Sequence, residues 1–180
     1  MKLMIAQTSP LLAETTANLE ALESLCRLAV EAEVDLIALP ELAFTGYNIF
    51  ERLDRLAQTI DGPIVTEAAR LADKYNLHLL FGLAERQSND ELSNSAILLD
   101  DNGQHLATYN NAERQVLQIR ARAMDNQCFV ACINRSGVED TLHYCGNSIV
   151  ADPDGEVIGR LGLTAGTMIV DIDLARIDES

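Results

Sequence analysis

Residues 35–50 read DLIALPELAFTGYNIF. Leu36 to Leu39 form an unbroken apolar run, Pro40 closes it, and Glu41 follows at once. Such a run is the pattern of a strand buried on both faces, as in a sheet covered by helices. In open α/β sheets, ligands bind beyond the carboxyl ends of the strands, and Glu41 falls at that place. A carboxylate at the end of a buried strand is desolvated, which favours its protonated form and suits a general base. The same position also fits a strand-end glutamate that faces water or caps the next turn.

The flanking sequence supplies the rest of an α/β layer. LMIAQ (3–7) reads as a buried strand, and TTANLEALESLCRLAVEAEV (15–34) as a helix. In that helix Leu19, Leu22, Leu25, Cys26, Ala29 and Val30 share one face, and Thr16 is the candidate cap. DGPIVTEAARLADKYN (61–76) is a second helix with Asp61 as cap and Pro63 at its start. LHLLFGLAE (77–85) is a third strand, and SNSAILLD and HLATYN form a hairpin around DDNG (100–103). AERQVLQIRARAMDNQ (112–127) has helical spacing at Val116, Ile119 and Ala123. CFVACINRSG, NSIVADPDGEVIGRL and TMIVDIDL read as strands, with DPDG (152–155) a further turn. The reading is α/β: a mixed sheet or paired sheets with helices packed outside.

The totals narrow the function classes. One domain with a real core fits 180 residues. Twenty-eight acids oppose thirteen bases, and the resulting charge of -15 repels nucleic acid and anionic membrane, so neither is expected as a partner. MKLMIAQTSP reads as a first strand rather than a signal peptide, and no apolar run approaches a membrane span. Cys26, Cys128, Cys132 and Cys145 include no CxxC pair and are expected to be reduced thiols in a cytoplasmic protein. His78, His105 and His143 are scattered without ligand spacing, so no metal site is expected.

Read whole, LIALPELAFTGY resembles the base-bearing motif of the nitrilase superfamily, the carbon–nitrogen hydrolases. KLMIAQTSP is similar to that family's first strand, and LHLLFGLAER with LSNSAILLDDNGQHLATY to its third strand and following hairpin. IRARAMDNQCFVACINRSG resembles its arginine–alanine helix and next strand, GNSIVADPDGEVI its late hairpin, and MIVDIDL its closing strand. The resemblance spans nearly all of the chain in the family's order. It implies a nitrilase-like α-β-β-α sandwich that pairs into a dimer or larger oligomer. It further implies a glutamate–lysine–cysteine triad acting on small amides or nitriles without a cofactor. There a thiolate attacks the carbon, the glutamate moves protons, and the lysine stabilises the tetrahedral intermediate.

Carried over residue by residue, Glu41 is the general base, and Tyr47 and Asn134 are expected beside the substrate. The lysine should follow ATY (107–109), yet the chain continues NNAERQVLQIRARAMDN, and its two lysines are Lys2 and Lys74. The family's cysteine elbow has no counterpart either. Only twelve residues separate Tyr109 from Arg122, too few for a lysine, a strand, an elbow and its helix. An internal block of core elements is therefore expected to be absent between 109 and 122 of a single domain, 1–180. Cys145, beside Gly146 and Asn147, is the candidate substitute nucleophile; Cys128 and Cys132, four apart, read more simply as small buried side chains. Arg114, Arg120 and Arg122 could steady an oxyanion, or form a solvated helix face paired with acids. Three functions stay open: a catalytically impaired hydrolase, an interaction or assembly protein pairing with itself or a full-length homologue, and an amidase using a non-standard cysteine. A sheet that has lost core strands must close up or receive an edge from a second chain, so a homodimer is expected.

Overall fold

A computed structural model of the chain describes residues 1–110, 116–139 and 142–178. The apolar runs pair into a six-stranded sheet in the order β11-β1-β2-β3-β4-β5, where β1 is Lys2–Gln7, β2 Leu36–Ala38, β3 His78–Arg86, β4 Leu92–Leu99, β5 His105–Asn110 and β11 Gly166–Asp171. β1, β2 and β3 run parallel, while β11, β4 and β5 add antiparallel. A smaller sheet holds β10 (Val157–Arg160), β9 (Ile149–Ala151) and β6 (Val130–Cys132), in that order. β7 (Ser136–Glu139) and β8 (Leu142–Cys145) form a separate hairpin.

Helices α1 (Thr15–Glu31) and α3 (Pro63–Tyr75) cover the outer face of the large sheet; the short α2 (Leu53–Leu56) precedes α3. Leu22, Cys26 and Ala29 of α1, with Ile64, Ala68 and Leu71 of α3, meet Leu79, Phe81, Ile97 and Leu99 of the sheet, all buried. Each large side chain fully buried here contributes about 2 kcal/mol. The inner face packs Leu3, Ile5 and Ala38 against Val150, Phe129 and Ile133. On the far side of the small sheet, α4 (Val116–Asn126) lays Ile119 and Ala123 on Ile149 and Ala151. The short α5 (Ala175–Asp178) ends the described chain. The layers are α-β-β-α. Gln7, buried at the end of β1, ties the two sheets. Its Nε2 donates to the Gly162 and Thr164 carbonyls at 2.9 and 2.5 Å, and its Oε1 accepts from Ser148 N–H at 2.9 Å.

Both expected caps differ. Thr16 lies inside α1, whose N-cap is Glu14, with no side-chain hydrogen bond. At α3 the N-cap is Gly62 rather than Asp61, and Gln58 reaches across from the preceding loop to accept the Ile64 N–H at 2.8 Å. A side chain six residues upstream does the work of an adjacent one, which local pattern cannot show. The strand read through residues 128–137 is split: Asn134 breaks it between β6 and β7. Among the described residues no helix is long and apolar enough to cross a membrane.

The outer helices are cross-linked by charge. Lys74 Nζ donates to Glu23 Oε1 at 2.7 Å and the Tyr75 hydroxyl donates to the same oxygen at 2.9 Å. These bonds, the Lys74 one first, hold the Glu23 carboxyl at about 2 rather than 4.5. Because the folded value is depressed, this stabilisation is complete above the unfolded pKa and lost as pH falls from about 4.5 through about 2. Thermal melts across that window should therefore fall more steeply for the parent chain than for Glu23→Gln. Parallel slopes would show that the bridge adds nothing.

Candidate active site

Glu41 sits in the turn directly after Pro40, above the end of β2. The backbone of β3 builds that turn: Gly82 N–H donates to the Pro40 carbonyl at 3.2 Å, and Ala43 N–H donates to the Gly82 carbonyl at 3.3 Å. A Cβ at position 82 would lie 2.5 Å from Glu41 Cα and 2.6 Å from Leu42 N, so only glycine lets the two segments approach this closely.

The Glu41 carboxylate is not enclosed at a dry strand end, as the apolar run suggested; it is exposed. The run buries the strand, but the turn lifts the side chain clear of it. There Asn94 Nδ2, from β4, donates to Glu41 Oε1. Asn94 was missed in the sequence; the only signal was a polar residue interrupting the alternation at the start of β4. Together they border an open cleft of about 220 Å³, floored by Leu42, Ile49, Leu53 and Ala84 and walled by Tyr47. Beside it, Ser95 donates to Glu85 Oε2 at 2.5 Å. Arg86, the cation at that end of β3, is committed to Asp90 at 2.6 Å and Asp54 at 3.5 Å.

The loop 42–49 carrying Tyr47 is fastened from three sides. Asn18 of α1 donates to the Leu11 and Phe44 carbonyls at 2.8 and 2.9 Å, and Ala13 N–H donates to the Thr45 carbonyl at 2.8 Å. From β7, the buried Glu139 carboxylate accepts the Tyr47 N–H at 3.1 Å and the Asn48 N–H, while pairing with the equally buried Arg135. Arg135 also donates to the Pro10 carbonyl at 3.0 Å and lies 4.3 Å from the centre of the Tyr144 ring, which meets Tyr47 edge-on at 5.8 Å. Burial, reinforced by the Glu139 carboxylate, pushes the Tyr144 phenol up. Gly46 leaves room for the clamp, since a Cβ there would sit 2.6 Å from Glu139 Oε2. The task of Arg135 and Glu139 does not show in the sequence, because the loops their pair holds lie about ninety and more residues away.

The remaining candidates separate from this cleft. Lys2 Nζ donates to the Ala32 carbonyl at 2.8 Å and pairs with Glu33 at 3.7 Å; Lys74 is held by Glu23. Both of the chain's lysines are therefore engaged at the helical side. Asn134, expected beside a substrate, turns inward: its Nδ2 donates to the Gly146 carbonyl at 2.8 Å and its oxygen accepts the Cys132 thiol at 3.5 Å. Cys26 is buried, and burial pushes its thiol up to about 12. Cys26 and Cys128 are free thiols; Cys128 precedes β6 at the end of α4. The backbone of Cys145 pairs with Ser136 in the β7–β8 hairpin; its side chain, like all of Arg114, lies outside the described residues. Arg120 Nε donates to the Gly155 carbonyl at 2.6 Å, bracing the β9–β10 turn, and Arg122 is exposed. What the cleft offers is a hydrogen-bond-accepting carboxylate and a side-chain amide over an apolar floor.

A family model described as carbon–nitrogen hydrolase matches residues 2–113 and 109–180. The hydrolase in the pqqF 5′ region of Pseudomonas protegens is 28% identical over 245 residues, covering 100% of this chain and 85% of the relative. The 2-oxoglutaramate amidase of Bacillus subtilis is 24% identical over 204 residues, covering 78% of each. Among solved structures, an amidase from Nesterenkonia sp. superposes with a TM-score of 0.83 at 18% identity, over 100% of this chain and 93% of that one. Saccharomyces cerevisiae Nit3, a member of branch 10 of the nitrilase superfamily, gives 0.87 at 17%, over 99% and 92%. At these identities the superpositions speak to the fold, which is that of the nitrilases.

Proposed function

The chain belongs to the carbon–nitrogen hydrolase family, and from that premise we propose that it is a catalytically impaired member, retaining the family fold and the Glu41 cleft for binding or assembly. The observation that carries the reading is the commitment of both lysines, Lys2 to Ala32 and Glu33 and Lys74 to Glu23. Neither is available to Glu41. Arginine nearby does not replace them: Arg86 is neutralised twice over. The buried thiol of Cys26 stays protonated at neutral pH and cannot attack a carbonyl.

The reading includes the loss of an internal block between 109 and 122 that carried lysine and cysteine together. Two features support it. The family matches meet at residues 109–113. The Pseudomonas alignment is 245 long against a chain of 180, leaving at least 65 positions of the relative without a counterpart (245 less 180). Its ligand would be a small amide or nitrile, retained by hydrogen bonds to Glu41 and Asn94 without being cleaved.

Purified protein incubated with small amides and nitriles is therefore expected to release no ammonia above the blank. Removing a nucleophile from a catalytic triad costs roughly a millionfold in rate. The Glu41→Gln variant should be indistinguishable from the parent, and a thiol-alkylating probe should find no single fast-labelling cysteine. Ammonia release abolished by Cys145→Ala or by Glu41→Gln would instead establish an amidase with a rearranged site.

A further inference from the structure

The charges around the cleft do not balance. Asn94 Nδ2 donates to Glu41 Oε1, and among the described residues no cation pairs with the Glu41 carboxylate. Arg86 at that end of β3 is matched by Asp90 and Asp54. Arg52 and Arg55, on either side of Leu53, are exposed and do not line the cleft. With Glu51 counted, these three arginines face three acids, Asp90, Asp54 and Glu51, so Glu41 is left in excess. Glu85 and Glu91, on and before the neighbouring strands, only add to that excess. The Ser93 hydroxyl at the wall is engaged elsewhere, accepting Gln87 Nε2 at 3.1 Å and lying 3.0 Å from Ser95 Oγ. Below the carboxylate the floor is apolar, with Leu92 joining Leu42, Ile49, Leu53 and Ala84, and Tyr47 supplies an aromatic wall. The volume of about 220 Å³ falls short of the roughly 300 Å³ at which drug-sized sites begin, so the occupant has few heavy atoms.

We propose that the cleft selects small molecules carrying a primary ammonium group, which pairs with Glu41 while the rest of the ligand lies on the apolar floor. A neutral ligand that covers an unmatched carboxylate strips its water without supplying a countercharge, and that is costly. An ammonium group supplies both the charge and three N–H donors, for which Glu41 Oε2 and Asn94 Oδ1 are the acceptors. An aromatic wall favours the same charge, since a ring face attracts an ammonium within about 6 Å. The chain's overall charge of -15 draws cations toward the cleft and repels anions. The proposal rests on the reading that the cleft binds without cleaving, and it narrows the ligand from any small amide to one that bears an ammonium group.

Butyramide and β-alaninamide have the same shape and differ in a terminal methyl against a terminal ammonium, so titrating both into the labelled protein isolates the charge. The Asn94 side-chain amide and Tyr47 ring resonances report occupancy. At neutral pH and low salt, β-alaninamide should bind roughly fivefold or more tighter than butyramide, the upper range of a partly exposed ion pair. Raising the salt to about 0.5 M should shrink the difference. n-Butylammonium should bind and butyrate should not. Glu41 is exposed, so Glu41→Gln should keep the parent's circular dichroism while the two amides become equal. Asp73→Asn, which removes an exposed charge from α3 on the helical side, should leave the preference intact. The proposal is overturned if butyramide binds as tightly as β-alaninamide, or if the preference survives in Glu41→Gln or is lost equally in Asp73→Asn. Ammonia appearing in the butyramide titration would instead overturn it through its premise, by showing that the site cleaves what it binds.

Discussion

Replacing Glu139 by alanine is expected to cost about 3–5 kcal/mol of stability, the scale of leaving one member of a buried ion pair without its partner. In a chain this long that corresponds to a fall in melting temperature of roughly 8–15 °C. The carboxylate and the Arg135 guanidinium are each almost fully enclosed, at 3% and 5% side-chain exposure. Removing the acid strands a cation beneath Tyr144 and also orphans the Tyr47 and Asn48 N–H groups. Each buried unpaired donor adds about 1–3 kcal/mol. The damage should be local as well as global: amides of residues 46–48 should lose hydrogen-exchange protection before the outer helices do. Replacing the pair together, Arg135→Met with Glu139→Leu, should recover much of the loss, because no charge is left behind. Denaturant unfolding of the three proteins checks this. A Glu139→Ala cost below about 1 kcal/mol would mean that the clamp is wet and adds little.

The second large effect is expected from Gly82→Ala. A methyl group added to a strand glycine ordinarily stabilises by restricting the unfolded chain, by about 0.4–1 kcal/mol. Here it meets backbone atoms at 2.5 and 2.6 Å, which cannot rotate away as a side-chain tip could. Overpacking then prevails, at about 3 kcal/mol. The turn bearing Glu41 must move, and the hydrogen bond from Asn94 should weaken with it. Equilibrium unfolding gives the stability change, and the Asn94 side-chain amide resonances report the local shift. An alanine variant as stable as the parent, with those resonances in place, would show that the turn has more freedom than its contacts imply.

Much of this protein is written locally. The unbroken run Leu36–Leu39 marks β2, the stripe of Ile64, Ala68 and Leu71 marks α3, and turns such as DDNG and DPDG place the hairpins. These signals survive because burial imposes period and length on neighbouring residues, whatever the rest of the chain does. The order of elements, Glu41 after β2, and the absence of a lysine near Tyr109 follow from the same string. Tertiary structure decided what depends on distant partners. It set Glu41 in water beside Asn94, turned Asn134 inward onto Gly146, and gave Arg135 and Glu139 a structural task over Tyr47. It also set a three-stranded sheet against the inner face of the six-stranded one. Periodicity reports which face of an element is apolar. Whether anything lies against that face is fixed only when segments a hundred residues apart meet.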